Sequence, residues 1–156
     1  MLPSSQLSRE LDGTSTQVLL QNFADRILVL ITQMGKVGNL IQATIPPTTP
    51  LDPLPPPDPA QPNVVPLPIP PPAIQLTPLL GHAPSEHMQT LHSLYASQVA
   101  TLVWTSGAEV ALETERRAVV VGLALRKSDD ASGVGLSEHE RKVFYGVMDV
   151  VKELLR

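Results

Sequence analysis

His82, His87 and His92 lie near one another in the chain, and a histidine cluster is the first place to look for a metal site. Their spacing argues against one. Ligands that share a helix face fall three or four residues apart, whereas His87 and His92 are five apart and His82 precedes the break at Pro84. His139 falls in the first turn of a separate helical segment, exposed by pattern. The chain has no cysteine, which removes disulfides, thiolate metal sites and cysteine nucleophiles. No metal and no cofactor are expected.

Glycine-bearing motifs are equally unproductive for chemistry. Gly35-Lys36-Val37-Gly38 has the outline of an RNA-clamping GxxG loop, but that loop joins helices and this one joins two strand-like runs. The same Gly-Lys pair lacks the upstream glycine and following hydroxyl of a phosphate-binding loop. In Gly133-Val134-Gly135, Glu138 stands where a dinucleotide fingerprint needs its third glycine. No nucleophile, base and orienting acid form a local motif, so the chain reads as a non-enzyme. Its net charge of -4 offers no footprint for a phosphate backbone, which excludes nucleic acid as a partner. The longest apolar run, 118–125, is far short of the roughly 20 residues of a spanning helix. The first residues lack the basic start and apolar core of a secretory signal. The expectation is a soluble, intracellular protein.

With chemistry set aside, the informative question is what surface the chain must bury. It has 156 residues, 42% apolar but only 3% aromatic, so one modest core of Val, Leu, Ile and Ala is expected and the single Trp104 becomes conspicuous. Residues 1–13 are polar and aperiodic and read as a flexible arm, leaving 14–156 as one domain. Residues 14–45 hold three apolar runs separated by Asn22-Phe23-Ala24-Asp25 and Gly35-Lys36-Val37-Gly38, which reads as an antiparallel meander. In the middle run Ile27, Val29 and Ile31 face one way and Leu28 and Leu30 the other. This strand should be central and covered twice, once by the chain's own helices and once by further strands or a partner.

Sixteen of the seventeen prolines lie between Pro46 and Pro84, and only Asp52 and Asp58 are charged there. Proline removes backbone donors and disfavours helix before it, so 46–72 is expected to be a long extended loop. That loop is either a tolerated insertion or a tether, and 66–72 has the composition of a polyproline ligand. Residues 73–80 suggest a short strand that Pro78 confines to an edge. A helix capped by Ser85 follows, with Met88, Leu91, Tyr95, Val99 and Leu102 as its apolar stripe, and Gly107 near its end. Trp104 lies nearly opposite that stripe, which makes it either an exposed partner contact or a residue packed beneath the proline loop. Residues 117–126 form a second strand apolar on both faces. Ser137 and Glu140 make a capping box for a last amphipathic helix with Val143, Phe144, Val147 and Val151 on one side. The fold class is therefore α+β: an antiparallel sheet, two amphipathic helices and a long proline-rich loop.

Thr16-Gln17-Val18, Phe23, the run 27–33, the bulky Met34 and Gly35-Lys36-Val37-Gly38 together resemble the N-terminal signature of the proteasome assembly chaperone 3 family. The likeness is close over 16–40, looser through Leu79-Leu80-Gly81, the helix at 85–105 and the strand at 117–127, and confined to position and amphipathicity in the last helix. The resemblance implies a heterodimer with the related proteasome assembly chaperone 4, docking on proteasome α-subunits and promotion of α-ring formation, with no catalytic residue to carry over. For the isolated chain a homodimer is the alternative to a monomer. Gly35, Lys36, Val37 and Gly38, at the rim of the sheet, and Trp104 are the candidate partner contacts. A rival reading is an adaptor that offers the 46–72 polyproline stretch to a partner's aromatic groove.

Overall fold

The structure, a computed structural model, describes residues 4–51, 56, 58–61, 66–110, 117–126 and 136–155. The Gly133-Val134-Gly135 loop and residues 52–55, 57 and 62–65 of the proline-rich loop lie outside that set. The fold is α+β, as the periodicities require. Six strands, β1 Ser4–Leu11, β2 Thr14–Asn22, β3 Arg26–Thr32, β4 Asn39–Thr44, β5 Gln75–Leu80 and β6 Ala118–Ala124, form one sheet in the order β1-β2-β3-β6-β4-β5. Helix α1, Glu86–Val110, precedes β6 and helix α2, Glu138–Leu155, follows it.

The doubly apolar strands occupy the centre. β3 and β6 pair in parallel at the middle of the sheet, and every other pairing is antiparallel. Val29, Ile31, Val119 and Val121 are fully buried between the sheet and the helices. Each stabilises the fold by about 1.5–3 kcal/mol relative to an exposed position. Pro78 does sit on an edge strand, where its missing N–H costs no ladder bond.

The expected meander is interrupted. β6 inserts between β3 and β4, so Gly35-Lys36-Val37-Gly38 does not close a hairpin but carries the chain across the end of β6. Turn residues and alternation specify strand direction, and β3 and β4 do run antiparallel, but they do not specify adjacency. The crossing is close. Gly38 has φ 69°, and a β-carbon there would collide with the Leu123 carbonyl. The Gln33 amide donates to Ala124 O at 2.9 Å, and the Arg126 amide donates to Gln33 Oε1 at 2.9 Å.

The arm expected over 1–13 is also corrected. Residues 4–11 form β1, joined to β2 by a two-residue turn at Asp12-Gly13 with φ of 48° and 81°, the positive values a tight hairpin needs. Leu11 is buried against α2, and Arg9 pairs with Glu153 of α2 at 2.6 Å.

Both helices pack on the same face of the sheet. α1 lies over β6, β4 and β5, and α2 over β1 and β2. Ser85 caps α1, its Oγ accepting from the Met88 amide at 3.2 Å, and the stripe Met88, Leu91, Tyr95, Val99 and Leu102 is buried. The helix runs through Gly107 to Val110, beyond its expected end, because one glycine costs only about 1 kcal/mol inside a helix. The Ser137 capping box of α2 forms as expected, with the Glu140 amide donating to Ser137 Oγ at 3.1 Å and the Ser137 amide to Glu140 Oε1 at 3.0 Å. Tyr95 and Phe144 tie the helices together, ring centroids 5.0 Å apart and edge to face.

Candidate partner-binding surface

Because side chains alternate along a strand, covering one face of the sheet with both helices leaves the other face open. Register defines its composition. One row runs across five strands as Leu19, Leu30, Gly122, Leu40 and Leu80. The next contains Gln21, Leu28, Val120 and Gln42, and the row on the other side Gln17, Thr32 and Ala124. Leu19, Leu28, Leu30 and Leu40 are half-buried, and Leu80 is 60% exposed. Among the described strand residues of this face, charge appears only at two margins, Glu10 and Arg26. A surface with apolar side chains at its middle, glutamines beside them and charge pushed to the edge has the composition of an interface core.

Gly122 shapes the centre of this face. The space a β-carbon would fill there is taken by the side chains of Leu30 and Leu40, with Leu40 Cδ2 at 3.1 Å and the Val37 carbonyl oxygen at 3.3 Å from that position. The 33–38 connection therefore lies over the rim of the open face. Thr32 Oγ1 orders it by accepting from the Met34 and Lys36 amides, both at 3.2 Å. Gly35, Lys36 and Val37 are exposed and Gly38 is half-buried, so the structure brings these four sequence-derived candidates together beside the leucine row.

Trp104 does not join them. It is 5% exposed, with its indole Nε1 donating to Arg117 O at 2.9 Å. The exposure expected from the helical wheel is overturned because Arg117, just before β6, lies on that side of α1, a contact between residues 13 positions apart that a local periodicity does not contain.

The histidines do not converge: His82 precedes α1, His87 and His92 lie on α1, and His139 on α2. His82 is exposed. His87 Nε2 contacts Glu140 Oε2 at 2.8 Å, joining the first turns of α1 and α2, and His139 Nδ1 contacts Asp12 Oδ2 at 2.6 Å, joining α2 to the β1–β2 turn. Burial alone would raise the Glu140 carboxyl, but hydrogen bonds from Ser137 and His87 outweigh it and hold its pKa below the usual range. His92 lies buried with Nδ1 3.1 Å from Asn39 Nδ2 and, among the described residues, with no partner for Nε2, and burial pushes its pKa down. Among the described residues no group of three or more His, Asp or Glu is placed to hold a metal ion, and no helix is long and apolar enough to cross a membrane. Sequence reasoning found neither the Glu140 pair nor the position of Leu80. The latter depends on the irregularity in register between Leu40 and Ile41.

The described part of the proline-rich segment lies on the helical side. Gln98 Nε2 donates to Pro68 O at 2.8 Å, Pro68 is buried, and Leu67 packs on the core. The 66–70 portion is thus a strap laid on the chain's own helices and not a freely presented ligand.

No protein-family model matches the chain, and no curated protein matches it. Among solved structures, it is similar to a chain of a novel chaperone complex for yeast 20S proteasome assembly, at 11% identity over 96% of this chain and 98% of that one, with a TM-score of 0.48. A likeness at that level carries no argument about shared function.

Proposed function

We propose that the chain is a non-enzymatic assembly chaperone that works as one half of a pair, its open sheet face covered by the sheet of a homologous partner. The observation that carries this is the open face, charged only at its margins, that is crossed by Leu19, Leu30, Gly122, Leu40 and Leu80. Each half-exposed leucine is worth on the order of 1 kcal/mol when removed from water, and a second sheet stacked about 10 Å away would cover the whole row. The Gly35-Lys36-Val37-Gly38 loop would then meet the partner's rim.

The signature over residues 16–40 supports the finer reading. The partner is a relative of proteasome assembly chaperone 4, and the pair docks on proteasome α-subunits, favours α-ring formation and departs when later subunits compete for the same surface. The protein acts in the cytoplasm, with the nucleus as a second compartment. Without its partner, the isolated chain would hide the same face against a second copy.

Co-expression with a homologous partner tests this. A one-to-one complex that retains α-subunits is expected, with Leu30→Asp weakening the pair at least tenfold while the variant keeps its circular dichroism spectrum. A chain that stays monomeric beside every candidate partner and recovers no α-subunits would overturn the reading.

A further inference from the structure

The helical side of the molecule carries a second recess, remote in the fold from the open sheet face and independent of any pairing there. A half-open groove of about 1060 Å³ runs between the 66–70 strap and α2. It exists because the strap is held on the helical side by the Gln98–Pro68 hydrogen bond and by Leu67 on the core, while Ile69 between Pro68 and Pro70 remains 61% exposed. On the α2 side, Phe144 and Tyr145 meet edge to face at 5.7 Å, with Tyr145 58% exposed.

The chemistry of the walls selects the occupant. Pro66, Pro68 and Pro70 have no N–H, so the strap presents mainly acceptors. At the rim Arg9 and Glu153 neutralise each other at 2.6 Å, leaving the carboxylates of Asp58 and Asp149 against the single ammonium of Lys152. Another proline-rich ligand would set acceptors against acceptors, and an acidic one would set like charges together. A ligand that brings donors, positive charge and apolar side chains suits the strap, the two free carboxylates and the exposed apolar groups, with Lys152 the one group set against it. The overall charge of -4 draws it in the same direction. Arginine is further favoured by the exposed face of Tyr145.

We propose that this groove binds an extended, arginine- or lysine-bearing segment of a partner protein, its apolar side chains against Tyr145 and Ile69 and its cationic groups toward Asp149 and Asp58. The site would give the molecule a contact that remains available while the sheet face is occupied.

The test is fluorescence anisotropy on the full chain with a labelled peptide of alternating arginine and leucine, and with its counterpart in which glutamate replaces arginine. The arginine peptide should bind and the glutamate peptide should not. Asp149→Lys should weaken binding roughly tenfold or more, Asp149→Asn and Tyr145→Ala by less, and Leu30→Asp on the opposite face should leave it unchanged. Hydrogen exchange should show protection over 144–149 and at the Leu67 and Ile69 amides, the two exchangeable positions of the strap. Asp149 is exposed, so folding should survive its substitution; if the lysine variant fails to fold, the asparagine and Tyr145→Ala variants decide. Absence of binding, equal binding of both peptides, unchanged affinity in the Asp149 and Tyr145 variants, or loss on Leu30→Asp would each overturn the proposal.

Discussion

Leu30 of β3 and Leu40 of β4 sit on strands that never pair, yet their side chains converge over Gly122 of the strand between them. The missing side chain on β6 is what lets the two leucines make one continuous apolar surface out of separate strands. Four glycines then become distinguishable by what surrounds them.

At Gly122 the obstacle to a β-carbon is the far end of flexible leucines, and at Gly38 it is the Leu123 backbone combined with a positive φ. Gly13 and Gly35 have positive φ and open space around them. Alanine at Gly13 or Gly35 should therefore cost about 1 kcal/mol from strain alone. Alanine at Gly122 should cost a similar amount and shift the leucines. Gly38→Ala should cost clearly more than any of these, about 3 kcal/mol, because backbone must move. Denaturant titration of the four variants checks the ranking.

Charge placed on the open face should act by position. Leu30→Asp, at the middle of the leucine row, should weaken pairing at least tenfold, about 1.4 kcal/mol, and Leu80→Asp on edge strand β5 should weaken it less. Sedimentation or light scattering across a dilution series reads both.

Two buried groups should shape stability against pH. Glu140 has a folded pKa below its ordinary 4.5, so its contribution is present above that value and disappears as pH falls through the folded pKa. Glu140→Gln should cost about 1.5–3 kcal/mol near neutrality and progressively less below pH 4.5. His92 has a folded pKa below 6.5, so the wild-type chain should lose stability as pH falls beneath 6.5, where the unfolded imidazole takes up a proton that the folded one refuses. His92→Leu should flatten that slope. Denaturation midpoints over a pH series test both signs.

Trp104 is the only tryptophan, and it reports on the core beside α1 and on its hydrogen bond to Arg117 just before β6. Its emission should be blue-shifted in the folded chain and move to the red on unfolding. Trp104→Phe should cost about 1 kcal/mol through loss of the bond to Arg117 O, with the orphaned carbonyl adding to it.

Much of the architecture was legible from residue pattern. Both helix starts followed from Ser85 and the Ser137–Glu140 box, the centrality of β3 from its two apolar faces, and the edge position of β5 from Pro78. β1 was hidden because Ser, Gln and Glu dominate a strand that buries few side chains, although Asp12-Gly13 was a hairpin signal in plain sight. The sheet order was hidden for a different reason. The strand that separates β3 from β4 lies far downstream, and no local pattern states which strand fills a gap. On the candidate surface, Leu28, Leu30 and Leu40 could be read as facing away from the core, whereas Leu80 needed the register and Trp104 needed a nonlocal contact.

The position of β6 also bears on how the chain is made. The ribosome delivers β1–β3 and then β4–β5 before the strand that joins them, so two half-sheets wait during translation, each with a bare margin where β6 will go. Joining them requires pairing across long stretches of chain, which is slow and leaves those margins open to the wrong neighbour. Both margins disappear together when β6 docks, so the last strand made closes the two halves of the sheet in one step.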